Sequence, residues 1–292
     1  MIKQKYKHFI ITHFNLRLIK EGGFCFAVDK KNNPTQTDEW MAHRFDLFET
    51  YCFPSIAEQT DKEFYWICLF DELTNTTYRE KIKGFQQRCD RFIPVFLPEV
   101  KRDDLHLDID KVMRNYLDGS ETHVVSTNLD NDDALHIDFI KTFRKHFNNP
   151  TIDTVYRFTY GYQYFTTYNY LMQMKYPHNH FLTLATAVTE EPMRDISYYN
   201  HTSAHRQVYH IDIIEKPLWL EVVHTGNVSN SLRVKFKIKY KPIISNKSLL
   251  DEFNIDKRIK PGKSLLTSVT TIPRMVFEKF IDKIKRMSQK AD

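Results

Sequence analysis

The sequence predicts an α/β fold with a central, mostly parallel sheet flanked by helices, a β-rich second half and a C-terminal helix. In the first half, apolar runs of strand length alternate with segments of helical periodicity, which favours parallel strands joined by helices. After Pro150, apolar runs follow one another with few helical segments between them. From Pro273, apolar residues recur at helical spacing. These patterns indicate one α/β unit followed by a short extension.

Each predicted element has its own local pattern. Strands are expected where short apolar runs end in polar residues, at 7–13, 64–70, 92–97, 122–128, 155–159, 181–188, 219–223 and 232–240. Helices are expected where apolar residues recur every three or four positions, at 40–57, 76–87, 104–117, from about Ala134 to 143, and at 273–290. Pro54 is expected to bend or end the first of these helices, because proline has no N–H to donate.

The composition indicates a globular protein. The chain has 292 residues, of which 41% are hydrophobic and 14% aromatic, enough for a sizeable core. No apolar run approaches the roughly 20 residues of a membrane span, and 9–11 is too short for the core of a signal peptide. The four cysteines form no C-x-x-C pair, so neither a disulfide framework nor a zinc site is expected. The sequence therefore predicts a cytoplasmic location.

The charge is unevenly distributed along the chain. Residues 1–240 are expected to form one domain and 241–292 a basic extension with an amphipathic helix, since 231–292 holds 16 Lys and Arg against 6 Asp and Glu. This helix is predicted either to contact an anionic membrane peripherally, at its inner face, or to cover the sheet. No recognisable nucleic-acid-binding module accompanies the charge, so no nucleic acid partner is expected.

Three carboxylates follow the predicted strand 122–128 almost directly: Asp130, Asp132 and Asp133. Because like charges repel at close range, such a cluster needs a counter-charge. Mg²⁺ or Mn²⁺ would supply that charge and keep coordination positions open for phosphate oxygens. The alternative is an acidic N-cap, in which Asp132 or Asp133 starts the helix predicted from about Ala134.

The predicted topology brings the acidic residues to one crevice. Ligands of open α/β sheets bind outside the carboxyl ends of the strands, so His13, Asp71 and Asp130 are expected to face one another there. Only seven glycines are present and no G-x-G-x-x-G occurs, which argues against a glycine-rich phosphate loop. Phosphate groups, if bound, are therefore expected to be held by metal and side chains.

Four stretches together resemble the bacterial rhamnosyltransferase family, a branch of the GT-A-type glycosyltransferases. They are 9–15, 40–59, 127–135 and 219–230, and they span most of the chain. The resemblance implies a GT-A-like nucleotide-binding fold and a metal-dependent glycosyltransferase. The implied donor is a nucleoside-diphosphate sugar, with rhamnose as the leading sugar, and the implied acceptor is a glycan or lipid-linked glycan of the bacterial surface.

The resemblance also implies roles for single residues. Mn²⁺ or Mg²⁺ would be held by Asp130, Asp132 and His224. The nucleotide would be contacted by Thr12, Phe14, Asn15, Asp71 and Asp130, with Asp71 on the base and Asp130 on the ribose. Arg44 is either a phosphate contact or part of a helix-surface ion pair with Glu49 or Asp46. His224 is either a ligand or a structural histidine.

The acceptor hydroxyl needs a general base, and Glu190 and Glu191 are predicted for this catalytic role because they follow the apolar strand 181–188. Their alternative interpretation is a pair of exposed loop carboxylates. His13 and Asn128 stand where the family pattern has arginine, so a non-catalytic glycan-binding protein with a decayed donor site is a further hypothesis. A metal-dependent phosphohydrolase is another, since such enzymes also use clustered aspartates.

Overall fold

The computed structural model describes residues 5–20, 23–25, 27–28, 34–199, 204–224, 239–242 and 251–255, together with Pro273, Arg274, Phe277 and Ile281. The strands are β1 (Tyr6–His13), β2 (Leu18–Lys20), β3 (Gly23–Phe24), β4 (Tyr65–Asp71), β5 (Phe92–Leu97), β6 (Val100–Lys101), β7 (His123–Asn128), β8 (Ala134–Leu135), β9 (Thr154–Phe158), β10 (Tyr160–Phe165), β11 (Tyr170–Lys175), β12 (Leu182–Ala187), β13 (Tyr209–Ile213), β14 (Trp219–Val223) and β15 (Lys239–Pro242). The helices are α1 (Asp38–Leu47), α2 (Phe53–Ala57), α3 (Thr76–Arg88), α4 (Leu105–Arg114), α5 (Phe139–His146) and α6 (Ala204–Gln207).

A seven-stranded sheet forms the centre of the protein, with the order β13-β9-β12-β7-β1-β4-β5. All neighbouring strands are parallel except β12, which is antiparallel to both β7 and β9. Within it, β5-β4-β1-β7 has the 3-2-1-4 order of doubly wound sheets, and the order reverses between β1 and β7. The predicted α/β class with a mostly parallel central sheet is confirmed.

Apolar layers cover both faces of this sheet, as a largely parallel sheet requires. On one face, Trp66 packs with Phe48 and Phe85 from the helices. On the other, Ile67 packs with Leu105 and Ile109 of α4. All six side chains are at most 2% exposed, and burying each contributes roughly 1.5–3 kcal/mol. The layers fix the strands, and with them the loops at their ends.

The first predicted helix continues through Pro54. Its middle turn, Phe48–Cys52, is π-helical, and Pro54 lies in the first turn of α2. The apolar positions of the predicted pattern are all buried: Met41, Phe45, Phe48, Cys52 and Ile56. A π-bulge is one way to insert a residue without ending a helix. The proline therefore does not end the helix at that point.

A five-stranded sheet, in the order β15-β11-β10-β14-β8, was not predicted as a separate layer. Its strand β8 corrects one sequence expectation, because Ala134 and Leu135 pair with Leu220 and Trp219 of β14. The helix predicted from about Ala134 begins only at Phe139, as α5. Asp132 and Asp133 therefore do not cap it, and the capping alternative for the acidic cluster is wrong.

The C-terminal part is described only in pieces. β15 pairs with β11, and Phe253 and Ile255 are buried in a cluster with Tyr162. Most of the predicted strand 232–240 and of the predicted helix 273–290 lies outside the described residues, and the boundary at residue 240 stays a prediction. Within the part of the chain that is described, no helix is long and apolar enough to cross a membrane.

Candidate functional site

The acidic loop after β7 is anchored to the end of β1 by Asn131. The Asn131 amide donates to the carbonyl of Phe14 at 3.0 Å, and its side-chain oxygen accepts from the Arg44 guanidinium. Asn131 is 1% exposed, so these contacts are shielded from water. Because β1 and β7 flank the point where strand order reverses, the loop lies where open α/β sheets bind ligands.

Asp132 is a buried carboxylate with two partners from distant segments. Its Oδ2 lies 3.0 Å from Nη1 of Arg44 and 2.9 Å from Nε2 of His224. Burial alone would raise the pKa of Asp132, but the charge of Arg44 and the hydrogen bond from His224 outweigh it and hold the pKa well below its ordinary value. Asp132 is thus an ionised, fixed anion that joins α1 to the end of β14.

His224 is itself held by a second histidine. Nδ1 of His224 lies 3.3 Å from Nε2 of His43, and the rings meet edge to face at 5.1 Å. Burial, followed by the charge of His224, lowers the pKa of His43. The predicted partners Asp132 and His224 are therefore brought together. Arg44 takes the buried ion pair with Asp132, and Glu49 pairs instead with Lys81.

Asp133 points to a different partner from Asp132. Its Oδ2 lies 2.6 Å from Nε2 of His180, and its Oδ1 accepts the backbone N–H of Val222 at 2.7 Å. Burial and the neighbouring Asp132 charge raise the pKa of Asp133. Burial lowers the pKa of His180, but the charge of Asp130 and the hydrogen bond to Asp133 together raise it to about 9. The two form a buried, hydrogen-bonded pair.

One group of three side chains has the spacing of a metal site. Single ligand atoms from Asp130, Asp133 and His180 lie within 4.8 Å of one another, and Nε2 of His180 is 3.8 Å from Oδ2 of Asp130. Asp130 is the accessible member, with its side chain 46% exposed. In the described residues, Asp132 and His224 form no such group with Asp130. Carboxylate and imidazole donors suit Mn²⁺, so an Asp-Asp-His cluster fits a divalent cation.

His180 was not predicted from the sequence as a site residue. It stands two residues before β12, and Thr183 of that strand pairs with Thr127 of β7. Because β12 runs antiparallel to β7, the beginning of β12 lies at the carboxyl edge of β7. The signal in the sequence was therefore a histidine directly before the predicted strand 181–188. That histidine can be assigned to the carboxyl edge of β7 only once the direction of the strand is known.

The same reversal separates Glu190 and Glu191 from the cluster. Ala187 at the end of β12 pairs with His123 at the start of β7, which places the following residues toward the opposite edge of the sheet. There the backbone carbonyl of Glu191 accepts from Arg114 at 2.8 Å. The structure does not bring the two predicted catalytic carboxylates to the acidic loop.

Asp71 is placed at the end of β4, as expected, but its carboxylate is already engaged. It is 2% exposed, accepts from Nε of Arg17, and accepts the backbone N–H of Leu73 at 2.7 Å. The hydrogen bond to Asp71 raises the pKa of Arg17. Asn15 completes the arrangement by accepting the Asp71 backbone N–H at 3.2 Å and donating to Thr74 at 3.1 Å. Arg17 is thus a site residue that sequence reasoning missed.

Thr12 and Phe14 lie in the core beneath this edge. Thr12 is fully buried, and its hydroxyl accepts from the indole of Trp66 at 3.0 Å. The Phe14 ring packs on Phe45 at 4.5 Å and on Phe70 at 5.0 Å. Both residues shape the floor of the crevice, and their predicted contacts with a nucleotide stay predictions.

The two positions where the family pattern has arginine hold neutral groups. Asn128 donates to the carbonyl of His180 at 3.2 Å and to Asp130 at 3.4 Å. Burial lowers the pKa of His13 to about 4, with the charge of Asp130 opposing and that of Arg102 reinforcing the shift. Positive charge at this edge comes instead from other positions, namely Arg17, Arg44 and Arg102.

Comparison with curated protein sequences finds no match. Among solved structures, S. aureus TarS 1–349 in complex with UDP is 9% identical with a TM-score of 0.41, over 74% of this chain and 60% of that chain. S. aureus TarS is 9% identical with a TM-score of 0.38, over 75% and 37%. A nucleoside-diphosphate-sugar pyrophosphorylase from Vibrio cholerae RC9 is 12% identical with a TM-score of 0.30, over 70% and 91%. At these TM-scores the likenesses carry no argument about function.

The family comparison rests on the chain's own sequence pattern. The family described as "Putative rhamnosyl transferase" matches residues 27–236, which is well over half of the chain. The matched range contains α1 with Arg44, the acidic loop after β7, His180 and His224. The resemblance seen in the sequence is confirmed. The chain belongs to this rhamnosyl transferase family.

Proposed function

We propose that the protein transfers a sugar, with rhamnose as the leading candidate, from a nucleoside-diphosphate donor to a glycan or lipid-linked glycan of the bacterial surface. The observation that carries the proposal is the meeting of Asp130, Asp133 and His180 at the reversal point between β1 and β7. This is the edge at which α/β sheets bind nucleotides. An anionic diphosphate at this carboxylate-rich edge requires a cation.

Mn²⁺ or Mg²⁺ is the proposed cofactor. The donor set Asp130, Asp133 and His180 would hold it, and Asp130 is exposed enough to face a ligand. When bound, the cation would neutralise negative charge on the departing nucleoside diphosphate. Asp132 and His224 are the other proposed ligand pair, carried over from the family resemblance. The first set is therefore Asp130, Asp133 and His180. The second is Asp130, Asp132 and His224, so only Asp130 is common to both.

The nucleotide is proposed to lie along the ends of β1 and β4. Asn15, Asp71 and Arg17 form a hydrogen-bonded group there, and Arg17 also lies 5.7 Å from the ring of Phe24, which is 44% exposed. An exposed aromatic beside a guanidinium offers a stacking surface and donors to a base or phosphate. Thr12 and Phe14 would support this region from the core.

The proposal assigns the role of general base to neither Glu190 nor Glu191, because both follow the far end of β12, away from the acidic loop at which transfer would take place. It keeps the predicted cytoplasmic location, with peripheral contact of the basic C-terminal helix at the inner face of the membrane. Binding of the full chain to anionic and to neutral vesicles tests that contact. Equal binding to both compositions would speak against it.

Calorimetry with UDP, GDP and dTDP tests the donor site. We expect one of the three to bind in the presence of Mn²⁺, and chelation with EDTA to weaken that binding. Asp130→Asn should also weaken nucleotide binding. Asp118→Asn is the control and should leave that binding unchanged, because the Asp118 side chain is 64% exposed and lies beside Lys7 at the start of β1. Failure of every nucleotide to bind would refute the proposal. Release of free phosphate without sugar transfer would favour the phosphohydrolase hypothesis.

A further inference from the structure

A cavity lies between the start of α4 and the segment that follows β12. Its volume is about 730 Å³, within the range of roughly 300–1,000 Å³ that is typical of small-ligand sites. Its walls include Arg102, His106, Glu191, Arg194, Tyr198 and Gln207. None of these residues belongs to the acidic cluster, so the cavity is a separate feature of the surface.

One wall of the cavity is fixed in place by hydrogen bonds to regular structure. The N–H of Met193 donates to Asp110 of α4 at 3.1 Å, and the N–H of Ile196 donates to the hydroxyl of Ser126 in β7 at 2.8 Å. Asp110 is in turn paired with Arg114 at 2.8 Å. The segment is thus held on two elements, which pre-organises the cavity and lowers the entropic cost of binding a ligand.

Tyr198 presents an aromatic surface in this cavity. It is 43% exposed, although its ring has close neighbours. His106 meets the ring edge to face at 5.0 Å, and the Arg194 guanidinium lies 4.5 Å from the ring centroid. An exposed ring with polar groups around it combines an apolar surface with nearby hydrogen-bonding groups. A sugar ring has matching properties, because it carries C–H groups on its faces and hydroxyls around its rim.

The charged groups of the lining balance one another. Arg102 and Arg194 are offset by Asp103 and Glu191, and Gln207 adds an amide. Guanidinium groups only donate hydrogen bonds and carboxylates only accept them. A hydroxyl does both, so this mixed lining suits a ligand with many hydroxyls and no net charge. A strongly anionic ligand would meet the two carboxylates.

One wall of the cavity, at Arg102, relates it to the region of the proposed donor crevice. Arg102 is held by its N–H, which donates to the carbonyl of Ile19 at 3.0 Å, and its charge acts on His13 at the end of β1. Resting on the proposed glycosyltransferase function, we propose that this cavity binds the acceptor and that the acceptor saccharide it takes is neutral. Tyr198 provides the platform, and the arginine and carboxylate groups bind the hydroxyls.

Saturation-transfer NMR on the full chain tests the inference, with methyl rhamnoside and methyl glucoside as neutral probes and glucose 1-phosphate as the anionic comparison. We expect transfer to a neutral probe, an affinity about tenfold lower in Tyr198→Ala, and near wild-type affinity in Tyr198→Phe. Tyr209→Ala is the matched control, because Tyr209 is 60% exposed, lies on β13 and is not among the residues that line the cavity.

Three outcomes would overturn the inference. They are no saturation transfer to either neutral probe, an equal loss of probe affinity in Tyr198→Ala and Tyr209→Ala, or tighter binding of glucose 1-phosphate than of the neutral probes. Mn²⁺-dependent nucleotide binding, measured on the same variants, separates this inference from the proposed function. We expect it to be unchanged in Tyr198→Ala. Sugar binding without nucleotide binding would support the cavity and refute the donor site. Nucleotide binding without sugar binding would support the donor site and refute the cavity.

Discussion

Nε2 of His180 lies 2.6 Å from Oδ2 of Asp133, and both side chains are almost entirely buried. The other oxygen of Asp133 accepts the N–H of Val222 at 2.7 Å. One carboxylate therefore joins the loop after β7, the residue ahead of β12 and the strand β14. Because these segments are far apart in the sequence, their positions around the acidic loop depend on this pair.

Removing His180 should cost much of the stability of the fold. His180→Ala leaves Asp133 buried without its side-chain hydrogen-bond partner, and removing one member of a buried pair costs about 1–3 kcal/mol, and up to about 5 where the remaining group is charged. Urea unfolding measures the loss. The control is His146→Ala, which removes a partner of Glu215 at 2.7 Å where both side chains are more than a third exposed. That change should cost at most about 1 kcal/mol. Equal losses would contradict the importance of the buried pair.

The two proposed metal-ligand sets predict opposite results for two histidines. If Asp133 and His180 act with Asp130, His180→Gln should weaken Mn²⁺ binding by about tenfold or more, and His224→Gln should have a smaller effect. Electron paramagnetic resonance of free Mn²⁺ measures this without any substrate. A stronger effect of His224→Gln would assign the metal to Asp132 and His224 instead. Unchanged affinity in Asp130→Asn would refute both sets.

Acid should destabilise the protein through buried neutral histidines. Burial, with a smaller contribution from the charge of Arg144, lowers the pKa of His8 to about 3, from 6.5. Since the folded pKa is depressed, the stability that His8 contributes is present above pH 6.5 and is lost as the pH falls toward 3. The loss approaches ~1.4 kcal/mol for each pH unit in that window.

His8→Gln should remove this part of the pH dependence. Glutamine can keep a hydrogen bond to Thr127, whose hydroxyl lies 2.7 Å from Nε2 of His8, but it does not titrate. Urea unfolding at about pH 7 and about pH 5 should show a smaller acid loss in His8→Gln than in the wild type. Some loss should persist, because the pKa of His136 is also lowered, to about 4. An identical acid loss in both proteins would rule out His8 as a source.

Many strands of the fold could be predicted from the sequence because periodicity reports burial. The predicted strands 92–97 and 219–223 match β5 and β14 in both bounds. The stretch from Tyr156 to Phe165 is rich in aromatic residues, which are typical of β-strands. They belong to β9 and β10, and Tyr156, Tyr162 and Tyr164 are each at most 5% exposed.

The candidate site could be predicted only in part, for a physical reason. A strand followed by Asp130 and Asp132 is visible locally, and Asp71 at the end of another strand is visible in the same way. The direction of β12 is not, because a strand that is buried on both faces is a continuous apolar run whichever way it points in the sheet. That single property brings His180 to the site and takes Glu190 and Glu191 away from it.

Gly161 is the position where the second sheet should tolerate no side chain. A Cβ built there would lie 1.9 Å from Cδ2 and 2.2 Å from Cε2 of Trp219, a ring that is 1% exposed and cannot move into solvent. Trp219 also donates its indole N–H to the carbonyl of Phe158 at 2.8 Å, which fixes the ring further. Gly161→Ala must therefore shift β10 against β14, and overpacking of this kind costs about 1–3 kcal/mol or more.

The shift should also reach the candidate site, because β14 carries Val222, whose N–H binds Asp133, and ends next to His224. We expect Gly161→Ala to lower both the urea midpoint and the Mn²⁺ affinity. Gly84→Ala is the matched control, since Gly84 lies inside α3 with nothing within 4 Å of its added Cβ. Alanine there should stabilise the helix by up to about 1 kcal/mol and leave metal binding unchanged. A Gly161→Ala protein with wild-type stability would mean that Trp219 can move and that β14 does not hold the site rigidly.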